Sequence, residues 1–202
     1  MNDIGMVVSI IVAFLIVVIF LSSFLERSFH IHRETPQKKA GRYGEKIATS
    51  VISEVLRDED VLLTNVPIRV EGKQTELDNV IINTNGIFII EVKNLHGVLS
   101  GDEESYDWIQ TKSSSGGEFY QKTVKNPMKQ VKRQIYILSS YLKRKNLGTW
   151  IDGYVFFVER NCPIKSDLVL ETRKDIDLAI HSNGKQTLSK KKQSAIIKSL
   201  IK

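Results

Sequence analysis

The hydrophobic positions of this chain follow distinct patterns in succession. Residues 4–25, "IGMVVSIIVAFLIVVIFLSSFL", carry no charge and no period. A helix of that length reaches about 33 Å at ~1.5 Å per residue, enough to cross a hydrocarbon core of about 30 Å. The run predicts one N-terminal transmembrane helix kept as an anchor. The basic start, short apolar run and small-x-small site of a cleaved signal peptide are all weak here. Residues 41–60, "GRYGEKIATSVISEVLRDED", shift to a helical period. Tyr43, Ile47, Val51 and Val55 recur at every fourth position, and Ala48, Ile52 and Leu56 form a row beside them. Glu45 lies on that second row, so the packed side of this helix carries a carboxylate that needs a partner. The alternative is a first-turn acid that faces water and complements the helix dipole.

Period-two and continuous apolar runs follow. "VLLTNVPIRV" (61–70) predicts a strand edged at Pro67. "TELDNVIINTNGIFIIEVKN" (75–94) predicts a hairpin turning at Asn85-Gly86, the pair that suits a type I′ turn. "GVLSG" and "YDWIQT" predict two short strands around the acidic turn "DEES", and "SSSGGEF" predicts a flexible loop. Residues 126–146, "NPMKQVKRQIYILSSYLKRKN", predict a helix with Asn126 as N-cap and Pro127 at its first position. Met128, Val131, Ile135, Leu138 and Leu142 form its core stripe, and Gln130 sits at the margin with Gln134 in the same row. "GYVFFVER" (153–160) predicts a buried strand, and "SKKKQSAIIKSLIK" a short basic amphipathic helix. This order predicts an α/β sandwich built on a mixed sheet.

Charge adds orientation and partners. Only Asp3 precedes the apolar run, whereas Arg27, Arg33, Lys38, Lys39 and Arg42 follow it, which places the C-terminal domain in the cytoplasm. His30 and His32 lie among them as solvated interface residues rather than a metal site. A net charge of +6 over 202 residues fits a polyanionic partner, either nucleic acid or an anionic membrane leaflet. Lys129, Lys132 and Arg133 share the far face of the 126–146 helix. They suit a phosphate backbone, or equally form a solvated face. The lone Cys162 allows no disulfide framework within the chain, and no phosphate-binding glycine loop indicates a nucleotide cofactor.

The hairpin carries charges at its open end: Asp78 on one strand, Glu91 and Lys93 on the other. With Asn85-Gly86 as the loop, Asp78 faces Lys93; with Thr84-Asn85, it faces Glu91. In either register the alternation puts Asp78, Glu91 and Lys93 on one face, unless a bulge or odd-length loop intervenes. Paired carboxylates suit Mg²⁺ or Mn²⁺, which binds one or two of them together with water and substrate phosphate. Lys93 could orient a water or offset charge on phosphorus oxygens, with Glu45 as a further ligand or water-holding group. The same spacing also suits a structural ion pair of Lys93 with either acid.

In this order, "GRYGE", "ELDNVIINTNGIFIIEVKN" and "NPMKQ" resemble the nuclease-related domain (NERD) family, and the pattern Asp78…Glu91-Val92-Lys93 resembles the wider PD-(D/E)XK nuclease superfamily. The resemblance covers roughly residues 38–160; Leu77 stands where the superfamily motif has proline. It implies a restriction-endonuclease-like αβββαβ core with a mixed central sheet flanked by helices. It implies Asp78 and Glu91 as metal carboxylates, Lys93 as the catalytic lysine, Glu45 as the helix acid and Gln130 as the helix glutamine near the site. The expected organisation is an anchor at 1–25, a juxtamembrane linker at 26–37, the nuclease-like domain at 38–165 and an extension with a short basic helix at 166–202. The expected function is metal-dependent phosphodiester hydrolysis of nucleic acid. The alternative is a catalytically silent scaffold of the same fold that binds nucleic acid or protein.

Overall fold

A computed structural model describes residues 12–22, 35–114, 116–182 and 186–201. The chain divides into two compact units, Met1–Lys39 and Ala40–Lys202. Residues 12–22 form a helix, α1, whose large apolar side chains are exposed. The rest of the anchor expected over 4–25 lies outside the described residues. Among the described residues no helix is long and apolar enough to cross a membrane.

The second helix, α2, spans Pro36–Ser53 rather than 41–60. Thr35 starts it early, because its Oγ1 accepts from the Lys38 amide. Residues after Ser53 turn instead of continuing, and Asp60 Oδ2 accepts from the Arg57 amide. Its packed row is Gly44, Ala48 and Ile52, whereas Tyr43 is 63% exposed.

A five-stranded mixed sheet is ordered β1-β2-β3-β7-β8. Strands β1 (Val61–Val70), β2 (Lys73–Asn83) and β3 (Gly86–Lys93) are antiparallel; β7 (Ile151–Phe157) and β8 (Val169–Leu170) extend the sheet in parallel. The hairpin uses the second of the two registers. Asn83 pairs with Gly86 and Asn79 with Ile90, so Thr84-Asn85 is the loop. The turn is not the type I′ turn expected at Asn85-Gly86. Asn83 Oδ1 accepts from the Asn85 amide, and the positive φ of 150 falls on Gly86. The side chains of Asn83 and Asn85 both donate to the Ile180 carbonyl at the end of α4 (Arg173–His181). A helix end leaves such carbonyls without partners inside the helix.

Between β3 and β7 the chain forms a three-stranded sheet, β4 (Val98–Ser100), β5 (Asp107–Ser113) and β6 (Phe119–Lys125), followed by α3 (Pro127–Arg144). Trp108 from β5 is wholly buried and stacks on Phe157 of β7, tying the small sheet to the main core. Asn126 caps α3 as expected, its side chain accepting from the Met128 amide. One face of the main sheet packs with α3, Trp108 and the closing helix α5 (Lys190–Leu200). The other packs Ile81, Phe88 and Ile90 against Ala48 and Ile52 of α2 and Ile176 and Ile180 of α4. Each such fully buried aliphatic side chain contributes about 1.5–3 kcal/mol.

Candidate active site

At the C-terminal end of β3, Glu91 is only 2% exposed. Its carboxylate accepts three side-chain hydrogen bonds. Lys93 Nζ and Gln130 Nε2 each lie 2.6 Å from Oε1, and Gln134 Nε2 lies 2.5 Å from Oε2. A buried charge is tolerated only with such partners, and charge-assisted bonds are the stronger kind. Gln130 also accepts from Lys93 at 3.0 Å, so it bridges the ion pair. The Lys93 side chain keeps 20% exposure, leaving the ammonium within reach of a ligand. Gln134 is wholly buried; its amide also donates to the Glu76 carbonyl at 3.2 Å. Sequence reasoning passed over Gln134, although it stands four residues after Gln130 in the same helix row and therefore on the same side.

Asp78 stands where β2 leaves β3. Backbone pairing ends at Asn79–Ile90, and one step further Asp78 comes level with Glu91, not Lys93. The expected shared face is corrected here. Leu77 and Val80, three residues apart, both join the α3-side core, so the period-two alternation slips between them. β1 slips with it: Asn65, in the ladder position between the pairs Thr64–Asn79 and Val66–Leu77, has φ 51. Asp78 therefore aims along the β2–β3 seam, where its Oδ2 accepts from the Val92 amide at 2.8 Å. Burial pushes its pKa up to about 7, and the charge of Glu91 adds to that. The Val92 amide and Lys93 pull the other way, and Glu45 raises it further.

Glu45 is half-buried on α2 and close enough to act electrostatically on Asp78. Gly44 sets that position. A Cβ there would lie 2.4 Å from the Asn94 Cβ, and the Asn94 amide donates to the Ala40 carbonyl at 2.8 Å. The helix thus docks against the residue that follows Lys93. The structure brings together Glu45, Asp78, Glu91, Lys93 and Gln130.

The basic residues of α3 have partners that the sequence did not suggest. Lys129 pairs with Glu104 at 2.8 Å and Lys132 with Glu103 at 3.2 Å, both from the acidic turn after β4. Arg133 donates to the Gln74 carbonyl at 3.1 Å. Solvent screens exposed pairs of this kind and leaves them weak, so a phosphate can compete for these cations.

Among the described residues, no group of three or more His, Cys, Asp or Glu is arranged to hold a metal ion. The donor set is the two carboxylates of Asp78 and Glu91. Asp78 Oδ2 holds the Val92 amide and Glu91 Oε2 holds Gln134 alone, which leaves both groups acceptor capacity. Burial first and the neighbouring Glu91 charge second raise the Asp78 pKa, and a hard cation would offset both.

A model of the nuclease-related domain matches residues 40–158. An uncharacterized protein of Bacillus anthracis is 31% identical over 96 residues, 45% of this chain and 45% of that protein, so the match spans about half of that relative. No solved structure matches the chain. The family match runs over more than half of the chain and takes in every residue of the Asp78–Glu91 seam, from Glu45 to Gln134: the chain belongs to the nuclease-related domain family.

Proposed function

We propose that this protein hydrolyses phosphodiester bonds of nucleic acid with Mg²⁺ or Mn²⁺ held by Asp78 and Glu91. The observation that carries the reading is the seam itself: Asp78, held on the Val92 amide, stands level with Glu91, and the Lys93 ammonium lies 2.6 Å from the Glu91 carboxylate. When bound, the cation supplies Lewis acidity at a phosphoryl oxygen. Lys93, kept in place by Gln130, offsets negative charge that grows on the phosphorus oxygens as the bond breaks. Gln134 holds the second oxygen of the Glu91 carboxylate while Lys93 and Gln130 hold the first. Glu45 orients a water against the scissile group. Lys129, Lys132 and Arg133 hold the strand through its phosphates once the acidic turn yields. The charge-free run 4–25 anchors the chain in a membrane, and the basic residues that follow it put the Ala40–Lys202 unit on the cytoplasmic side.

The test is a nuclease assay on the purified protein with Mg²⁺, across single- and double-stranded DNA and RNA. Asp78→Ala and Lys93→Ala should each remove cutting, and EDTA should do the same to the unaltered chain. Cutting that survives both substitutions in a clean preparation would rule the mechanism out. One observation favours a second reading, a silent binding scaffold: Glu91 already accepts three donors, as a purely structural carboxylate would. A scaffold binds nucleic acid without cutting it, and its affinity is indifferent to Glu91→Gln.

A further inference from the structure

On the side of the sheet facing α2 lies a cavity of about 350 Å³ lined by Arg42, Glu45, Lys46, Thr49, Thr64 and Asn65. Four of these come from one side of α2 at helical spacing, and two come from β1 where that strand changes face. The cavity abuts the carboxylate seam by three routes. Glu45 acts on Asp78, Asn65 is level with Asp78 in the β1–β2 ladder, and Thr49 Oγ1 donates to Asn79 Oδ1 at 3.1 Å. Asn79 is itself wholly buried, and among the described residues its Nδ2 has no acceptor. A non-glycine residue held at positive φ, as Asn65 is, is a conformation that clusters at ligand sites.

The lining has a definite chemistry. Two cations outnumber the single carboxylate, two hydroxyls and a carboxamide add neutral hydrogen bonds, and no aromatic ring is present to stack a base. Such a surface recognises phosphate and sugar and carries no sequence readout. We infer that this cavity seats the phosphate and sugar of the nucleotide next to the bond to be cut, with Arg42 and Lys46 on the phosphate and Thr49, Thr64 and Asn65 on the remaining oxygens. The inference rests on the nuclease reading for the position of the scissile bond. It does not need that reading for the cavity to bind.

The experiment measures anisotropy of short fluorescein-labelled single-stranded DNA and RNA oligonucleotides on the full chain in EDTA, at several salt concentrations. Lys46→Ala and Arg42→Ala should each weaken binding about tenfold, a typical loss for one charge-assisted contact. Each should also lower the slope of log affinity on log salt by about 0.7, the signature of one lost phosphate contact on a single strand. Lys46→Arg should restore both. With Mg²⁺, the same variants should raise KM and leave kcat near its original value. Wild-type affinity and salt slope in folded Lys46→Ala and Arg42→Ala proteins would overturn the subsite, as would failure of the unaltered chain to bind either oligonucleotide. Altered slopes in a chain that cuts no substrate would leave the subsite standing and remove the nuclease reading. Cutting by variants that bind normally would do the reverse.

Discussion

Asp78 ties the electrostatics of the seam to the stability of the fold. Its pKa is about 7 in the folded chain, against the ordinary 3.8. The folded state therefore holds this proton more tightly than the unfolded state. The stabilising contribution is complete below about pH 4 and is lost as pH rises through 7. In EDTA the Tm should fall between pH 5 and pH 8, and Asp78→Asn, whose amide oxygen can still accept from Val92, should abolish that component of the fall. Each pKa unit corresponds to about 1.4 kcal/mol, so the effect is large enough for thermal melts to resolve. Mg²⁺ should recover part of the lost stability at pH 8; a pH-independent difference between the two proteins would contradict this origin of the shift. At this scale the sequence was legible where chemistry is compact along the chain. Asp78, Glu91 and Lys93 stand out as charges on an apolar hairpin, but the strand slip that breaks their shared face is not written in their spacing. Gln134 does not stand out, since a glutamine at a helix margin reads as a surface residue until Glu91 is set beneath it. The partners of Lys129 and Lys132 were hidden for a similar reason, because Glu103 and Glu104 reach them only through the tertiary fold.

Among the elements, α2 decides whether Glu45 and the cavity residues face the seam. Its contact with Asn94 leaves no room for a methyl group at position 44. Gly44→Ala forces helix and strand end apart, an overpacking cost of about 1–3 kcal/mol. The variant should melt several degrees lower and lose activity more steeply than its stability alone accounts for; an unchanged Tm would mean that the helix docks elsewhere. The elements with a strong apolar pattern, β1 to β5, α3, β7 and α5, were legible in the sequence. β6 was not, because six of its seven residues are exposed and offer no period to detect; Phe119 is 79% exposed. β8 is two residues long, too short for any pattern. α4 did carry a readable signal, the capping box of Thr172 and Asp175, within a nine-residue helix. The hairpin register lay beyond the reach of local rules. Asn85-Gly86 suits a type I′ turn by itself, but the side chains of Asn83 and Asn85 are engaged by Ile180, about a hundred residues away.

Over the whole molecule, the segment after β7 belongs to both faces of the sheet. Leu188, Ile196 and Leu200 enter the α3 side, and Leu170, Ile176 and Ile180 enter the α2 side. The His181 ring, between Asp60 at 2.8 Å and Asp177 at 2.6 Å, fastens α4 to the residues just before β1. Six buried aliphatic side chains at about 1.5–3 kcal/mol each match the ~5–15 kcal/mol that stabilises a typical domain. A chain ending at residue 165 should therefore show no cooperative melting transition by circular dichroism; a sharp transition would make the segment a dispensable appendage. The β2–β3 turn shares this dependence, since Ile180 accepts from its two asparagines and the Leu188 amide donates to the Thr84 carbonyl. During synthesis these partners leave the ribosome long after the hairpin itself. The nascent hairpin then waits with its turn unclasped until Ile180 and Leu188 have emerged and folded back onto it.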